Sequence, residues 1–170
     1  MACILKTGNL LDATEQYIVQ QCNCVATKAH GLSEQISTKF PYANVYGKRR
    51  SLNGRNWALA EDQAVPGTYE ICGDGIKDRY VINIYAQYGM GKPYAYGQNR
   101  VNDSAEERTK WFKQCLAGIS ILKAKSIAFP YKIGCGLAGG NWDEYFQILE
   151  DFAKNNADTQ VVLYRLLEEK

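Results

Sequence analysis

Two stretches of the sequence combine polar or charged side chains with glycine just before a predicted helix. The first is the loop from Asn23 to Gly31, which contains Lys28 and His30, the only histidine of the chain. An unperturbed imidazole has a pKa of about 6.5 and can act as a general acid or base. A lysine ammonium can hold a phosphate as a point charge. The Asn23 amide both donates and accepts hydrogen bonds, which suits the vicinal hydroxyls of a sugar, although it could equally stabilise a turn.

The second stretch runs from Tyr131 to Trp142 and has glycine at positions 134, 136, 139 and 140. An apolar run precedes it and an amphipathic run follows it, so the order is strand, glycine-rich loop, helix. Unpaired N–H groups and the positive end of the helix dipole together form an anion site at such a junction. From the glycines alone, an ordinary flexible turn is the alternative.

The elements that position these loops follow from hydrophobic periodicity. Strands are predicted at residues 2–6, 15–23, 69–72, 80–85, 126–130 and 160–166, and helices at 32–40, 104–123 and 142–155. Strands and helices alternate, with one hairpin between the third and fourth strands. This pattern predicts an α/β protein, a three-layer α/β/α sandwich with a mixed sheet of about six strands, in a single domain over residues 1–170. Ligands of such sheets bind at the carboxyl ends of the strands, where both loops begin.

The composition of the chain argues against several classes of function. Hydrophobic residues make up 46% and charged residues 22% of the chain, and the net charge is +2. This charge is too small to favour nucleic-acid binding. No apolar run is long enough to span a membrane, and the N-terminus reads as a strand, so we expect a cytoplasmic protein with reduced cysteines.

A basic cluster at Lys48, Arg49 and Arg50 is interpreted as a solvated face. The alternative is a single-stranded RNA site in which tyrosines stack on bases. The tyrosines that could contribute are Tyr85, Tyr88, Tyr94 and Tyr96.

Together the two loops resemble the macro domain, the ADP-ribose-binding α/β/α module. The segments that carry the resemblance are Gln21-Cys22-Asn23-Cys24, His30-Gly31-Leu32 and the stretch from Ile133 to Trp142. They are most similar to the branch that includes the yeast ADP-ribose 1''-phosphate phosphatase and the terminal ADP-ribose protein glycohydrolase. Element order agrees along most of the chain, but residues 42–64 and 86–103 have no recognised counterpart.

The resemblance implies a role for each matching position. Asn23 would hold the distal ribose, and Gly31 with Leu32 would form the first diphosphate loop. The second diphosphate loop would be Gly134, Cys135, Gly136 and Leu137, whose backbone amides would cradle the ligand. Asn9 would accept a hydrogen bond from the adenine amino group, and Tyr164 would stack on the adenine ring.

Two departures from the family pattern concern catalysis. Gln20 stands where the phosphatase branch has a histidine, and Ala138 stands where the glycohydrolase branch has an aspartate. Neither mechanism can therefore be transferred. The chain's own catalytic candidates are His30 as acid or base, Lys28 as a phosphate ligand and Asp103 as a group that orients water. The corresponding structural interpretations are a packed loop residue, a solvated charge and an ordinary acidic residue at a helix start.

The leading hypothesis is a hydrolase that removes the 1''-phosphate of an ADP-ribose derivative or cleaves an ADP-ribosyl ester or glycosidic link. The alternative is a non-catalytic ADP-ribose-binding module, a reader or a sponge. The expected partner is ADP-ribose, a derivative of it, or an ADP-ribosylated protein. We expect no nucleic acid, membrane, metal or cofactor, and a monomer in the cytoplasm, with the nucleus as the alternative location.

Overall fold

Six strands form one sheet in the computed structural model, which describes residues 1–94 and 101–167. Tyr96 therefore lies outside the described residues. The strands are β1 (Ile4–Thr7), β2 (Tyr17–Gln21), β3 (Tyr69–Cys72), β4 (Tyr80–Ile84), β5 (Ser126–Pro130) and β6 (Gln160–Arg165). Their order across the sheet is β1-β6-β5-β2-β4-β3. Every pair of neighbours is parallel except β3 and β4, which form the predicted antiparallel hairpin, so the mixed six-stranded sheet is confirmed.

Helices cover both faces of this sheet. They are α1 (Leu32–Lys39), α2 (Ala105–Ser120) and α3 (Trp142–Asn155). Side chains alternate across a strand, so Val19 of β2 packs in one core with Phe112 of α2 and Leu149 of α3, whereas Ile18 packs in the other core with Ile36 of α1. The predicted three-layer arrangement is confirmed.

The central strands are buried on both faces, and this explains their continuous apolar runs. In β2, Ile18 and Val19 are fully buried, and Ala128 and Phe129 of β5 are equally inaccessible. The strand predicted over residues 15–23 ends earlier, at Gln21, and this releases Asn23 into the loop that follows. None of the helices within residues 1–94 and 101–167 is long and apolar enough to cross a membrane.

The starts of α2 and α3 are set by side-chain caps next to the loops. Ser104 caps α2, and its side chain accepts a hydrogen bond from the Glu107 N–H, as expected for a serine that stands three residues before a glutamate at a helix start. Asn141 caps α3 in the same way, with its side chain accepting from the Glu144 N–H, and this cap ends the second glycine loop.

Candidate functional site

The loops that follow β2 and β5 line one cavity of about 820 Å³. These two strands are parallel neighbours, so their carboxyl ends lie side by side and their loops face each other. The first loop contributes Asn23, Lys28, His30, Gly31 and Leu32, and the second contributes Gly134, Gly136, Leu137 and Ala138. The structure thus brings together most of the residues that the sequence analysis singled out.

Asn23 uses one end of its side chain for the fold and leaves the other end for the cavity. Its Oδ1 accepts hydrogen bonds from the N–H groups of Val25 at 3.0 Å and Ala26 at 2.8 Å. Its Nδ2 makes no hydrogen bond to any described residue. The turn-stabilising interpretation is therefore observed, and the amide nitrogen is still available to donate to a ligand hydroxyl.

The rest of the first loop presents charge and open backbone. Lys28 and His30 are exposed on the cavity wall. Gly31 precedes α1 with φ 58° and ψ −127°, a conformation that favours glycine, and it provides no side-chain cap. The first-turn N–H groups of Leu32 and Ser33, which both line the cavity, have no acceptor among the described residues.

The second loop is folded by turns that leave other amides open. Gly134 adopts φ 75°, and its carbonyl accepts a hydrogen bond from the Gly140 N–H at 3.0 Å. The Gly136 carbonyl accepts one from the Gly139 N–H at 3.0 Å. The N–H groups of Gly136 and Leu137 have no acceptor within the described parts of the chain. These open amides form a second anion-binding surface opposite the first.

Cys135 differs from its neighbours because it does not line the cavity. Its N–H donates to the Lys132 carbonyl at 2.9 Å, and its thiol donates to the Ile133 carbonyl at 3.4 Å. The amide that the resemblance assigns to the diphosphate is thus already engaged in a turn.

No protein-family model and no curated protein matches the sequence. Solved structures do match. The macrodomain of Thermus aquaticus DarG superposes with a TM-score of 0.69 at 23% identity, covering 96% of this chain and 97% of that one. The macrodomain of Mycobacterium tuberculosis DarG gives 0.66 at 20% identity, with 95% and 97% covered. The chain has the macrodomain fold.

A third structure widens this comparison. Thermosipho africanus DarTG in complex with ADP-ribose superposes with a TM-score of 0.62 at 16% identity, covering 98% of this chain and 43% of that one. Identities this low support a shared fold. Membership of the phosphatase and glycohydrolase branch stays a prediction.

This macrodomain fold has a third cavity wall, in a loop for which the sequence allowed a lid over the distal ribose or surface packing and assigned no site residue. Residues Gln87, Met90, Gly91 and Lys92, which follow β4, also line the cavity. Lys92 packs on the second loop, since a Cβ at Gly139 would lie 3.2 Å from its Cγ. Glycines and tyrosines dominate this segment and hydrophobic periodicity is lacking, so only the tertiary structure reveals it.

Asp103 lies behind this wall and does not line the cavity. It is 2% exposed, and its carboxylate accepts hydrogen bonds from Arg108 Nε at 2.8 Å and Nη2 at 2.7 Å. It also accepts from the backbone N–H groups of Tyr88 at 3.0 Å and Gly89 at 2.8 Å. With its oxygens engaged in this way, Asp103 anchors the wall. The position predicted for it, in reach of a substrate water, is not where the structure places it.

Asn9 and Tyr164 also lie outside the cavity lining, at the β1–β6 end of the same sheet edge. The Asn9 Oδ1 accepts from the Leu11 N–H at 2.9 Å and caps a short 3₁₀ turn. The Tyr164 hydroxyl donates to Glu15 Oε1 at 2.6 Å, and burial together with this bond raises the pKa of Tyr164 to about 12. Their predicted contacts with adenine stay predictions.

Gln20 points away from the cavity. It is 2% exposed, and its Nε2 donates to Asn83 Oδ1 at 2.6 Å inside the core. Its neighbour Gln21 does line the cavity, and the Gln21 Oε1 is buried without a hydrogen-bond partner in the described chain. The sequence analysis missed this free acceptor.

The basic cluster separates into two environments. Lys48 and Arg50 are exposed, and Arg50 Nε pairs with Asp62 at 3.0 Å. Arg49 is only 9% exposed, so the expectation of a solvated face is wrong for this residue.

The alternative of an RNA site requires tyrosines that can stack on bases. Tyr85 and Tyr88 are buried and cannot do so, whereas Tyr94 is exposed.

The charged side chains in the described lining of the cavity are positive. Its described lining includes Lys28, Lys92 and Lys132, and no Asp or Glu. Three ammonium groups beside two sets of open backbone amides favour a ligand with more than one negative charge.

Proposed function

We propose that the cavity binds ADP-ribose or a derivative of it. The observation that carries the proposal is the meeting of open N–H groups from the α1 start and from Gly136 and Leu137 across one cavity whose described lining has no carboxylate. A diphosphate has the charge and the acceptor oxygens to bridge the two loops. One structural neighbour, Thermosipho africanus DarTG, is a complex with ADP-ribose, which agrees with this assignment.

The strand order supports a direction for the ligand. Asn9 follows β1 and Tyr164 lies near the end of β6, so both are at one side of the sheet. Asn23 follows β2, which is nearer the middle of the sheet. An extended ligand with adenine at Asn9 and Tyr164 would pass its diphosphate between the two loops and bring its distal ribose to Asn23. The Asn23 Nδ2 would then donate to a ribose hydroxyl.

Isothermal titration calorimetry with ADP-ribose tests this proposal. We expect micromolar binding, and Asn23→Ala should weaken it about tenfold, the order of magnitude for one buried hydrogen bond and the turn that it closes. Asn155→Ala, an exposed position at the end of α3, is the matched control and should bind as the parent does. The assignment of the ribose contact is wrong if Asn23→Ala binds as tightly as the parent.

We further propose that the protein hydrolyses an ADP-ribose derivative, by removal of a 1''-phosphate or cleavage of an ADP-ribosyl ester or glycosidic link. His30 is exposed on the cavity wall and can exchange a proton with a water or a leaving group. The open loop amides can stabilise developing negative charge. A chromatographic turnover assay should show product, and His30→Ala should slow turnover at least about tenfold, the low end for general acid–base catalysis. Unchanged turnover in His30→Ala would exclude His30 from the mechanism.

The second candidate is a binding module without turnover. Three observations favour it: the cavity lining within residues 1–94 and 101–167 lacks a carboxylate, Gln20 faces the core, and Asp103 forms an ion pair with Arg108. This candidate predicts ADP-ribose binding by calorimetry and no product from the 1''-phosphate or from acylated forms. The same assay therefore separates the two candidates.

A further inference from the structure

Arg49 is a buried cation without a buried anion. Arg49 is only 9% exposed, and its guanidinium makes no ion pair with any described Asp or Glu. Two backbone carbonyls and two aromatic rings surround it instead. The guanidinium carbon lies 4.9 Å from the ring centroid of Tyr46 and 5.8 Å from that of Tyr85. Burial of a charge costs free energy because the guanidinium loses its hydration. The hydrogen bonds and cation–π contacts of Arg49 must offset this loss.

The two carbonyls belong to the turn that presents Asn23. Arg49 Nη2 donates to the Asn23 carbonyl at 2.9 Å, and Nη1 donates to the Ala26 carbonyl at 2.9 Å. Tyr46, which stacks on Arg49, accepts a hydrogen bond from the Asn23 N–H through its hydroxyl at 3.0 Å. Both backbone polar groups of Asn23 are thus held by side chains from residues 46–49.

This arrangement closes the turn from two sides. From within, the Asn23 Oδ1 accepts from the Val25 and Ala26 N–H groups. On the other side of the turn, the two Nη atoms of Arg49 donate to its first and last carbonyls, those of Asn23 and Ala26. Only the Asn23 Nδ2 is left over, at the cavity surface. A planar guanidinium can bridge two carbonyls three residues apart, whereas an ammonium is a point donor.

We propose that Arg49, supported by Tyr46, is a positioning residue that sets the geometry of Asn23 for the far end of the ligand. This inference rests on the proposed function, since it assigns Asn23 to the distal ribose. It gives the segment 46–49 a role that the basic cluster alone did not suggest. Arg49 itself does not line the cavity, whereas Tyr46 does.

The test compares ADP-ribose with ADP, which lacks the distal ribose and carries one more negative charge on its terminal phosphate, so the quantity compared is the change in their affinity ratio between variant and parent. Calorimetry with ADP-ribose and with ADP on the parent protein gives the contribution of that ribose. Arg49→Lys and Arg49→Met should weaken ADP-ribose binding about tenfold and leave ADP affinity within about threefold, because one fixed hydrogen bond to the ribose is lost. Arg50→Met is the matched control. It removes a neighbouring exposed cation, and the ratio of the two affinities should stay as in the parent.

Thermal melts accompany every variant, and Tyr46→Phe covers the case in which the Arg49 variants do not fold. Tyr46→Phe removes the hydroxyl that accepts from the Asn23 N–H and keeps the ring that borders the cavity and packs on Arg49, so it should lower the ADP-ribose to ADP affinity ratio in the same direction. Folded Arg49→Lys or Tyr46→Phe protein with the parental ratio overturns the inference, and so does an equal loss for both ligands. A parent protein that binds neither ligand overturns the proposed function itself, which is a different result.

Discussion

Two glycines of the second loop have different reasons to be glycine. Gly134 has φ 75°, and a Cβ there would lie 2.7 Å from Tyr145 Cε2 and 2.9 Å from Gln21 Oε1. Gly136 has no heavy atom within 4 Å of the corresponding Cβ position, and its φ is outside the left-handed region. The fold therefore requires Gly134, whereas it tolerates a side chain at position 136, where one would take up space that borders the cavity.

This difference predicts opposite results for two substitutions. Gly134→Ala should lower the free energy of unfolding by at least about 1 kcal/mol, since it combines an unfavourable φ with steric overlap. Gly136→Val should change it by less than about 0.5 kcal/mol but block the diphosphate, because the new side chain projects into the cavity. Chemical denaturation and ADP-ribose titration measure the two effects. Parental ADP-ribose affinity in Gly136→Val would mean that the ligand does not pass over the second loop.

The cysteines give a prediction about pH. Burial raises the pKa of the Cys135 thiol to about 11 and that of Cys22 to about 12. The thiolate is the reactive form, so at pH 8 both thiols are nearly all protonated and react slowly. Alkylation by iodoacetamide, followed by mass spectrometry, should be slow at pH 8 and accelerate as the pH approaches 11, with half-buried Cys135 modified first. Rapid labelling of native protein at pH 8 would contradict this burial.

At the scale of elements, α2 fixes a loop that has no regular structure. Arg108 of α2 is 1% exposed and donates to the carbonyls of Gly91 at 2.6 Å and Ala138 at 3.2 Å, in addition to its pair with Asp103. One side chain thereby joins the wall after β4 to the second glycine loop. Lys92 depends on this connection for its place in the cavity.

The Arg108–Asp103 pair should be far more important for stability than an exposed pair. Arg108→Met leaves Asp103 buried without its partner, and we expect a loss of about 3–5 kcal/mol in the free energy of unfolding. Arg50→Met breaks an exposed pair that solvent screens, and it should cost far less. Urea denaturation of both variants measures the contrast. Asp103→Asn with parental stability and abolished turnover would instead support the catalytic role that the sequence analysis assigned to Asp103.

Elements with periodic patterns could be predicted from the sequence, and elements held by single long-range contacts could not. The apolar run at Ser126–Pro130 and the Ser104 cap give β5 and the start of α2 directly. Residues 41–48 form two short 3₁₀ turns, in which Tyr46 is important only because it meets Asn23 in space. Arg49 looks like surface charge in the sequence for the same reason: its partners are carbonyls, which no residue type reveals.

At the scale of the whole molecule, the strand order decides which residues share the cavity. The sequence predicts strands but not that β2 lies between β5 and β4. This order brings loops after residues 21, 84 and 130 to one side, so the cavity walls come from three separate parts of the chain. Prediction of the two glycine loops succeeded because each loop carries its own local signal. Prediction of the third wall failed because it depends on the neighbour relation between β4 and β2.

A ligand that bridges three separate walls should stabilise the molecule as a whole. If ADP-ribose binds only the folded protein, a concentration of about 100 times its Kd adds about 2.7 kcal/mol to the free energy of unfolding. We therefore expect ADP-ribose to raise the melting temperature in a dose-dependent manner, measured by differential scanning calorimetry. AMP, which cannot span the two loops with a diphosphate, should raise it much less at the same concentration. An unchanged melting temperature at saturating ADP-ribose would contradict both the ligand and the bridging geometry, whereas equal shifts with AMP would place the binding energy at the adenosine end and not between the loops.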